Sequence, residues 1–215
     1  MRFPDDTQRI AIIGATGSGK TQSALWHLSN RNFHTMPWVV YNFKRDALID
    51  GIPHARHMGL DEIPDAPGIY VVHPQPHQTA EVENHLWNIW DSENTGVYVD
   101  EGYMMGRNNP AFRAILTQGR AKNVPTMTLT QRPAFLDYFI LSESEFFQVF
   151  RLQHKKDKVR VEEFSPIDMN QKLPEYYSHY YDVGANETVV LKPVPRIEEI
   201  HATFARRLGG KKQAV

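Results

Sequence analysis

Residues 10–21 read Ile10-Ala11-Ile12-Ile13-Gly14-Ala15-Thr16-Gly17-Ser18-Gly19-Lys20-Thr21, and this stretch decides the fold. Four consecutive apolar residues read as a buried strand. The next eight match G-x-x-x-x-G-K-[ST], the pattern of a loop that cradles a phosphate chain. The glycines open backbone conformations closed to other residues, so successive N–H groups can converge on an anion. Lys20 supplies a cation for the outer phosphates, and Thr21 supplies a hydroxyl for a magnesium ion. A helix starting at Lys20 aims its positive end at the same anion. A turn that merely joined strand to helix would need none of these positions together. Residues Gly14 to Thr21 therefore predict nucleoside triphosphate binding, with ATP and Mg2+ as the cofactors.

Working outward, strand-like runs alternate with helical patterns. Arg9–Ile13 and Trp38–Phe43 read as strands, with a helix over Lys20–Ser29 between them. Ile69–His73 is a short strand. Thr79–Trp90 puts Val82, Leu86, Ile89 and Trp90 on one helical face. Gly96–Asp100 is a fourth strand. Asn109-Pro110 reads as an N-cap followed by proline at the first helical position, with Phe112, Ile115, Leu116 and Gly119 on one face. Thr126–Thr130 is a fifth strand, Phe135–Leu141 a helix, and Phe146–Leu152 a returning strand. This order predicts an α/β fold: a mostly parallel sheet with helices on both faces, binding phosphate at the carboxyl ends of its strands.

The last third reads differently. Lys158–Phe164 (KVRVEEF) is expected as an edge strand. Tyr176–Tyr181, a turn at Val183–Asn186 and Thr188–Leu191 make a β-hairpin. Ile197, Ile200, Phe204 and Leu208 line an amphipathic helix that ends at Gly209-Gly210. The expected division is a core over residues 1–165, with the hairpin and helix of 166–215 packed on it or on a neighbouring subunit.

Composition limits what this scaffold can serve. A chain of 215 residues suits one domain, and 41% hydrophobic content fills a sizeable core. A net charge of −1 means that nucleic acid would have to be held by local patches or by several copies in a ring. The absence of cysteine excludes disulfides and zinc–thiolate sites and fits a reducing, intracellular setting. No apolar run is long enough to span a bilayer. Ten histidines include the near pairs His54/His57 and His73/His77. The prolines between His73 and His77 rule out a shared helix, and no H-E-x-x-H pattern supports a metal site.

Two further motifs carry chemistry. Gly96-Val97-Tyr98-Val99-Asp100-Glu101 is an apolar strand ending in adjacent acids. Asp100 suits the magnesium side and Glu101 the base that polarises the attacking water. Alternation at a strand end would turn the two carboxylates toward different targets. Downstream, Leu116 to Pro133 places a helix ending in Gly119-Arg120 before a strand ending in Gln131-Arg132-Pro133. Gln131 suits a contact to the γ-phosphate or its water, and Arg120 suits an outward-reaching arginine. The spacing leaves two blander uses open: Arg120 as a helix cap, Gln131 as a partner for a nearby loop.

GATGSGKT, VYVDE and QGRAKNVPTMTLTQRP, in this order, resemble the FtsK/HerA superfamily of P-loop ATPases, which have a RecA-like fold. Chain length and a softer match at Tyr176–Val183 and Val190–Pro195 resemble the genome-packaging ATPases of tailless, membrane-containing icosahedral viruses. The resemblance implies a homo-oligomeric, hexameric ring that drives double-stranded DNA into a capsid. It would meet capsid-vertex or portal proteins, in the host cytoplasm or at the virion packaging vertex. Arg120 would act on the neighbour's ATP, and Gln131 would be the sensor glutamine. The chain departs from the pattern at Asn123-Val124-Pro125, where many relatives carry a Gly-Ile/Val pair. Candidate DNA-contacting loops are Tyr103–Asn109, with Arg107, and His154–Lys158, with Lys155, Lys156 and Lys158. Arg206-Arg207 and Lys211-Lys212 are further basic pairs. Lys44 and Arg45 follow the second strand, where either could enter a nucleotide or subunit contact, a weaker expectation than the others. Two other readings remain: a small-molecule kinase, disfavoured by the lack of an arginine-rich lid, and a non-motor phage assembly ATPase.

Overall fold

The computed structural model describes residues 1–209; Gly210 and Lys211-Lys212 lie outside them. Its elements are β1 (Ile10–Ile13), α1 (Lys20–Ser29), β2 (Pro37–Asn42), α2 (Ala47–Asp50), β3 (Arg56–His57), β4 (Gly68–Val72), α3 (Thr79–Ser92) and β5 (Gly96–Asp100). Then follow α4 (Pro110–Gln118), β6 (Thr126–Thr130), α5 (Tyr138–Ser142), β7 (Phe146–Val149), α6 (Lys155–Glu162), β8 (Ser178–Asp182), β9 (Glu187–Leu191) and α7 (Ile197–Gly209). One nine-stranded sheet runs β3-β4-β2-β5-β6-β1-β7-β8-β9. Its strands are parallel through β7, and the β8–β9 hairpin adds two antiparallel strands.

Strands β1, β2 and β4 to β8 are almost wholly buried because helices cover both faces, as an apolar run without alternation requires, whereas the edge strands β3 and β9 are largely exposed. Val39, Tyr41, Val97, Val99 and Ile115 share one side of the core; Leu25, Trp38, Val40, Leu129 and Phe204 share the other. Gly96 lies under the Trp38 ring, where an added Cβ would come within 2.3 Å of ring carbons. A side chain there would push the two strands apart. Helix α7 packs on α1 through Ile200 and Phe204, the latter 5.6 Å from the Phe33 ring.

Three expectations fail. Lys158–Phe164 is not a strand but most of helix α6, which runs over Lys155–Glu162. Val159 and Val161 suggest alternation, yet Val159 is exposed, and the buried pair is Asp157 and Val161, one helical turn apart. The helix is hard to see because one of its inward residues is a carboxylate. Asp157 is held at 3.0 Å by Arg132 and at 3.1 Å by the Ala134 N–H. For the same reason His154–Lys158 is not a loop: His154 flanks the helix, and Lys155, Lys156 and Lys158 stand on its first turn. Phe135–Leu141 is not one helix either. A 3-10 turn at Pro133–Phe135 ends before Asp137, whose side chain caps a new helix by accepting the Phe139 N–H.

The Asn123-Val124-Pro125 departure has a backbone explanation. Asn123 adopts φ 54°, the left-handed region open to glycine and tolerated by asparagine. It closes the turn between α4 and β6, with the Val124 N–H bonded to the Gly119 carbonyl at 2.8 Å.

Candidate active site

The site sits where β1, β2, β5 and β6 end. In β1, Ile13 is followed by a loop in which Gly17 and Gly19 take φ 74° and 89°. Gly19 then opens α1, whose first-turn N–H groups lack carbonyl partners within the helix. The Ser18 hydroxyl is buried and has no hydrogen bond. A cleft of about 420 Å3 lies over this turn, lined by Ala15, Thr16, Gly17, Gly19, Lys20 and Thr21 from the loop. Lys44, Asp46, Asp100, Glu101, Gln131 and Tyr176 close its other sides.

Asp100 is the last residue of β5 and is 1% exposed. Burial raises its carboxyl from the usual range to about 6, against the opposing pull of Lys20. No hydrogen bond among the described residues compensates it. The Thr21 hydroxyl lines the same cleft. A buried, unpaired carboxylate and a hydroxyl are hard oxygen donors, and this pair fits a divalent cation such as magnesium.

Glu101 lies just past the strand. Its backbone is left-handed, φ 66° and ψ 74°, which costs on the order of 1–3 kcal/mol for a residue with a side chain. The strained residue, rather than simple strand alternation, turns this carboxylate inward. It is 1% exposed. Lys44 donates to Oε1, Lys20 lies 3.6 Å from the same oxygen, and the Gln131 N–H donates to Oε2 at 3.2 Å. The Gln131 side chain accepts from the Thr16 hydroxyl at 2.6 Å. One network thus links the ends of β1, β5 and β6.

Two contacts are not legible in the sequence. Lys44 meets Glu101 only because β2 pairs with β5, with Asn42 opposite Asp100. Tyr176 reaches the loop from the far third of the chain: at φ 64°, its ring packs so close that a Cβ on Gly19 would touch it at 3.3 Å. The pattern carried no signal for either.

Arg120 is not in this cleft. It lies on the 3-10 turn Gly119–Lys122, before β6, whereas the loop follows β1. Because β1 and β6 run parallel, with Ile13 opposite Thr130, the two positions fall at opposite edges of the sheet. Four to five residues at about 3.3 Å each separate those edges, too far for one side chain. Arg120 is exposed and makes no side-chain hydrogen bond or ion pair among the described residues. Arg107 is exposed with its guanidinium 5.9 Å from the Phe135 ring centroid, and Lys155 and Lys156 are exposed on the first turn of α6; Phe135, His154 and Asp157 line a second cleft with Gln131 and Arg132. Lys158 is half-buried.

The chain is 45% identical over 224 aligned residues to the DNA packaging ATPase P9 of Enterobacteria phage PRD1, an alignment covering 99% of this chain and 98% of that protein. The chain belongs to the DNA packaging ATPase family. No family model matches it. Among solved structures, the packaging ATPase fold is shared with the genome packaging NTPase B204 of Sulfolobus turreted icosahedral virus 2 in complex with AMPPCP. That match has a TM-score of 0.69 at 15% identity, covering 90% of this chain and 100% of that one. The cytoplasmic domain of the type VII secretion ATPase EccC of Thermomonospora curvata gives a TM-score of 0.61 at 14% identity, covering 96% of this chain and 28% of that one. In the described residues no helix is long and apolar enough to cross a membrane.

Proposed function

We propose that this packaging ATPase is a ring-forming motor that couples ATP hydrolysis to sequence-independent movement of double-stranded DNA into a capsid. The observation that carries this reading is the joint placement of Lys20, Asp100, Glu101 and Gln131 in one cleft, with Arg120 held away from it. The loop N–H groups and Lys20 bind the phosphates, and the unpaired Ser18 hydroxyl faces the same turn. Thr21 and Asp100 would hold magnesium, which neutralises charge on the outer phosphates when bound. Glu101 takes a proton from the attacking water, and Gln131 positions that water or the γ-phosphate. The left-handed backbone of Glu101 accompanies a carboxylate that lines the cleft and is shielded from bulk solvent.

Among the described residues of one subunit no arginine lines this cleft to balance the charge that spreads over the transferring phosphoryl group. Arg120, exposed and unpaired at the opposite edge, serves that purpose from the next subunit, most simply in a hexameric ring. Arg107, Lys155 and Lys156 are the DNA-facing cations. Their contacts go to phosphates, so the grip is independent of sequence. Capsid-vertex or portal proteins would dock the ring.

Hydrolysis measured with and without duplexes of unrelated sequence tests this reading. Stimulation of about tenfold by every duplex is expected, falling steeply as salt rises. A rate indifferent to duplex DNA would overturn it.

A further inference from the structure

Lys44 carries more than the site described so far assigns to it. Its backbone is fixed. Asn42, fully buried at the end of β2, accepts the Asp46 N–H at 2.8 Å and donates to the Asp46 carbonyl at 3.2 Å and to Asp50 at 2.9 Å. The two bonds to Asp46 close the five-residue segment Asn42–Asp46 that holds Lys44, and Arg45 within it takes φ 53°. The side chain is freer: it is 41% exposed, against 9% for Lys20 and 1% for its partner Glu101. Lys44 therefore enters the cleft from solvent, on a rigid base, and rests on the buried carboxylate proposed as the base.

That resting place conflicts with catalysis. Lys44 donates to Oε1, Lys20 lies 3.6 Å from the same oxygen and the Gln131 N–H donates to Oε2, so an attacking water must compete with two ammonium groups for Oε1. A triphosphate entering this cleft carries more negative charge than one carboxylate. Charge competition draws the mobile ammonium to the γ-phosphate, since Coulomb attraction scales with the charge it faces. The same movement releases Oε1.

We infer that Lys44 is a second phosphate-directed cation supplied by the same subunit, held by Glu101 in this structure and transferred to the γ-phosphate when ATP binds. ATP itself then frees the base. A diphosphate lacks the group that Lys44 would follow, so the contact with Glu101 returns after phosphate leaves. The inference rests on the proposed role of Glu101 as the base, and its test separates the two.

The test measures binding of ADP and of AMPPCP, together with hydrolysis, in Lys44→Ala, Lys44→Arg and Glu101→Gln proteins. In Lys44→Ala, AMPPCP affinity should fall by about tenfold while ADP affinity stays within about twofold, and kcat should fall by about tenfold or more. Lys44→Arg should keep the triphosphate preference. Equal weakening of ADP and AMPPCP, or an unchanged preference with unchanged kcat, would overturn the inference. Glu101→Gln that still turns over at the normal rate would instead remove the role of Glu101, whatever Lys44 does to nucleotide preference. Circular dichroism melting of Lys44→Ala shows that the turn survives; the half-exposed side chain makes a large loss of stability unexpected.

Discussion

Strand β6 carries a candidate residue near each end, and the fold treats them in opposite ways. At its carboxyl end Gln131 is held on both sides, by Glu101 through its N–H and by Thr16 through its side chain. Ahead of its amino end Arg120 is exposed and holds nothing. The carboxyl edge is a finished binding surface, pre-organised before ligand arrives. The amino edge is an unfinished one, whose functional group has no target within its own chain. A parallel sheet separates the two by construction, because every strand delivers its end to the same edge. On the proposed reading, the difference means that one copy of this chain binds nucleotide and takes the last charge for fast turnover from a neighbour.

Four substitutions sharpen or break that contrast. The largest effect belongs to the finished edge: Glu101→Gln should lower kcat by about 10³-fold while nucleotide affinity changes little, read by single-turnover hydrolysis beside equilibrium binding. Next, Arg120→Ala should lower kcat by about 10²-fold or more with binding intact. Mixing it with Lys20→Ala subunits should then restore part of the activity, since some interfaces pair an intact loop with an intact arginine. A mixture as inactive as its components would place Arg120 outside the neighbour's site. Gln131→Ala should cost about tenfold in kcat, because its N–H to Glu101 survives the change and only its side-chain contact is lost. Smallest is the turn that presents Arg120: Asn123→Ala should lower the unfolding free energy by about 1 kcal/mol, whereas Asn123→Gly should hold it, as denaturant melts would show.

The same contrast explains how much was legible beforehand. GATGSGKT could be read outright because its spacing is dictated by a ligand, and the ligand does not change with the rest of the fold. Asp100 and Glu101 were legible as site candidates because the apolar strand that they end stands in the same chain as the phosphate loop. The succession of strands and helices along the chain and the hairpin followed from alternation of strand-like and helical runs. Helix α6 was misread since its buried face uses Asp157, and a charged residue does not register as inward unless its partner, Arg132, is already in view. The split at Asp137 was hidden for a related reason: its carboxylate caps α5 and also takes Arg113 at 2.7 Å, and neither contact leaves an apolar trace.

Lys44 marks the limit most clearly. It stands 57 residues from Glu101, and no periodicity joins them. Local chemistry was enough to establish a nucleotide loop, a pair of acids and an α/β order, because those depend on near neighbours along the chain and on a ligand of constant shape. Which cation rests on the base, which tyrosine covers the loop and which arginine is left outside were decided by strand pairing. The order of strands across the sheet is set by packing of the whole core, and only that order turns distant positions into neighbours or parts them.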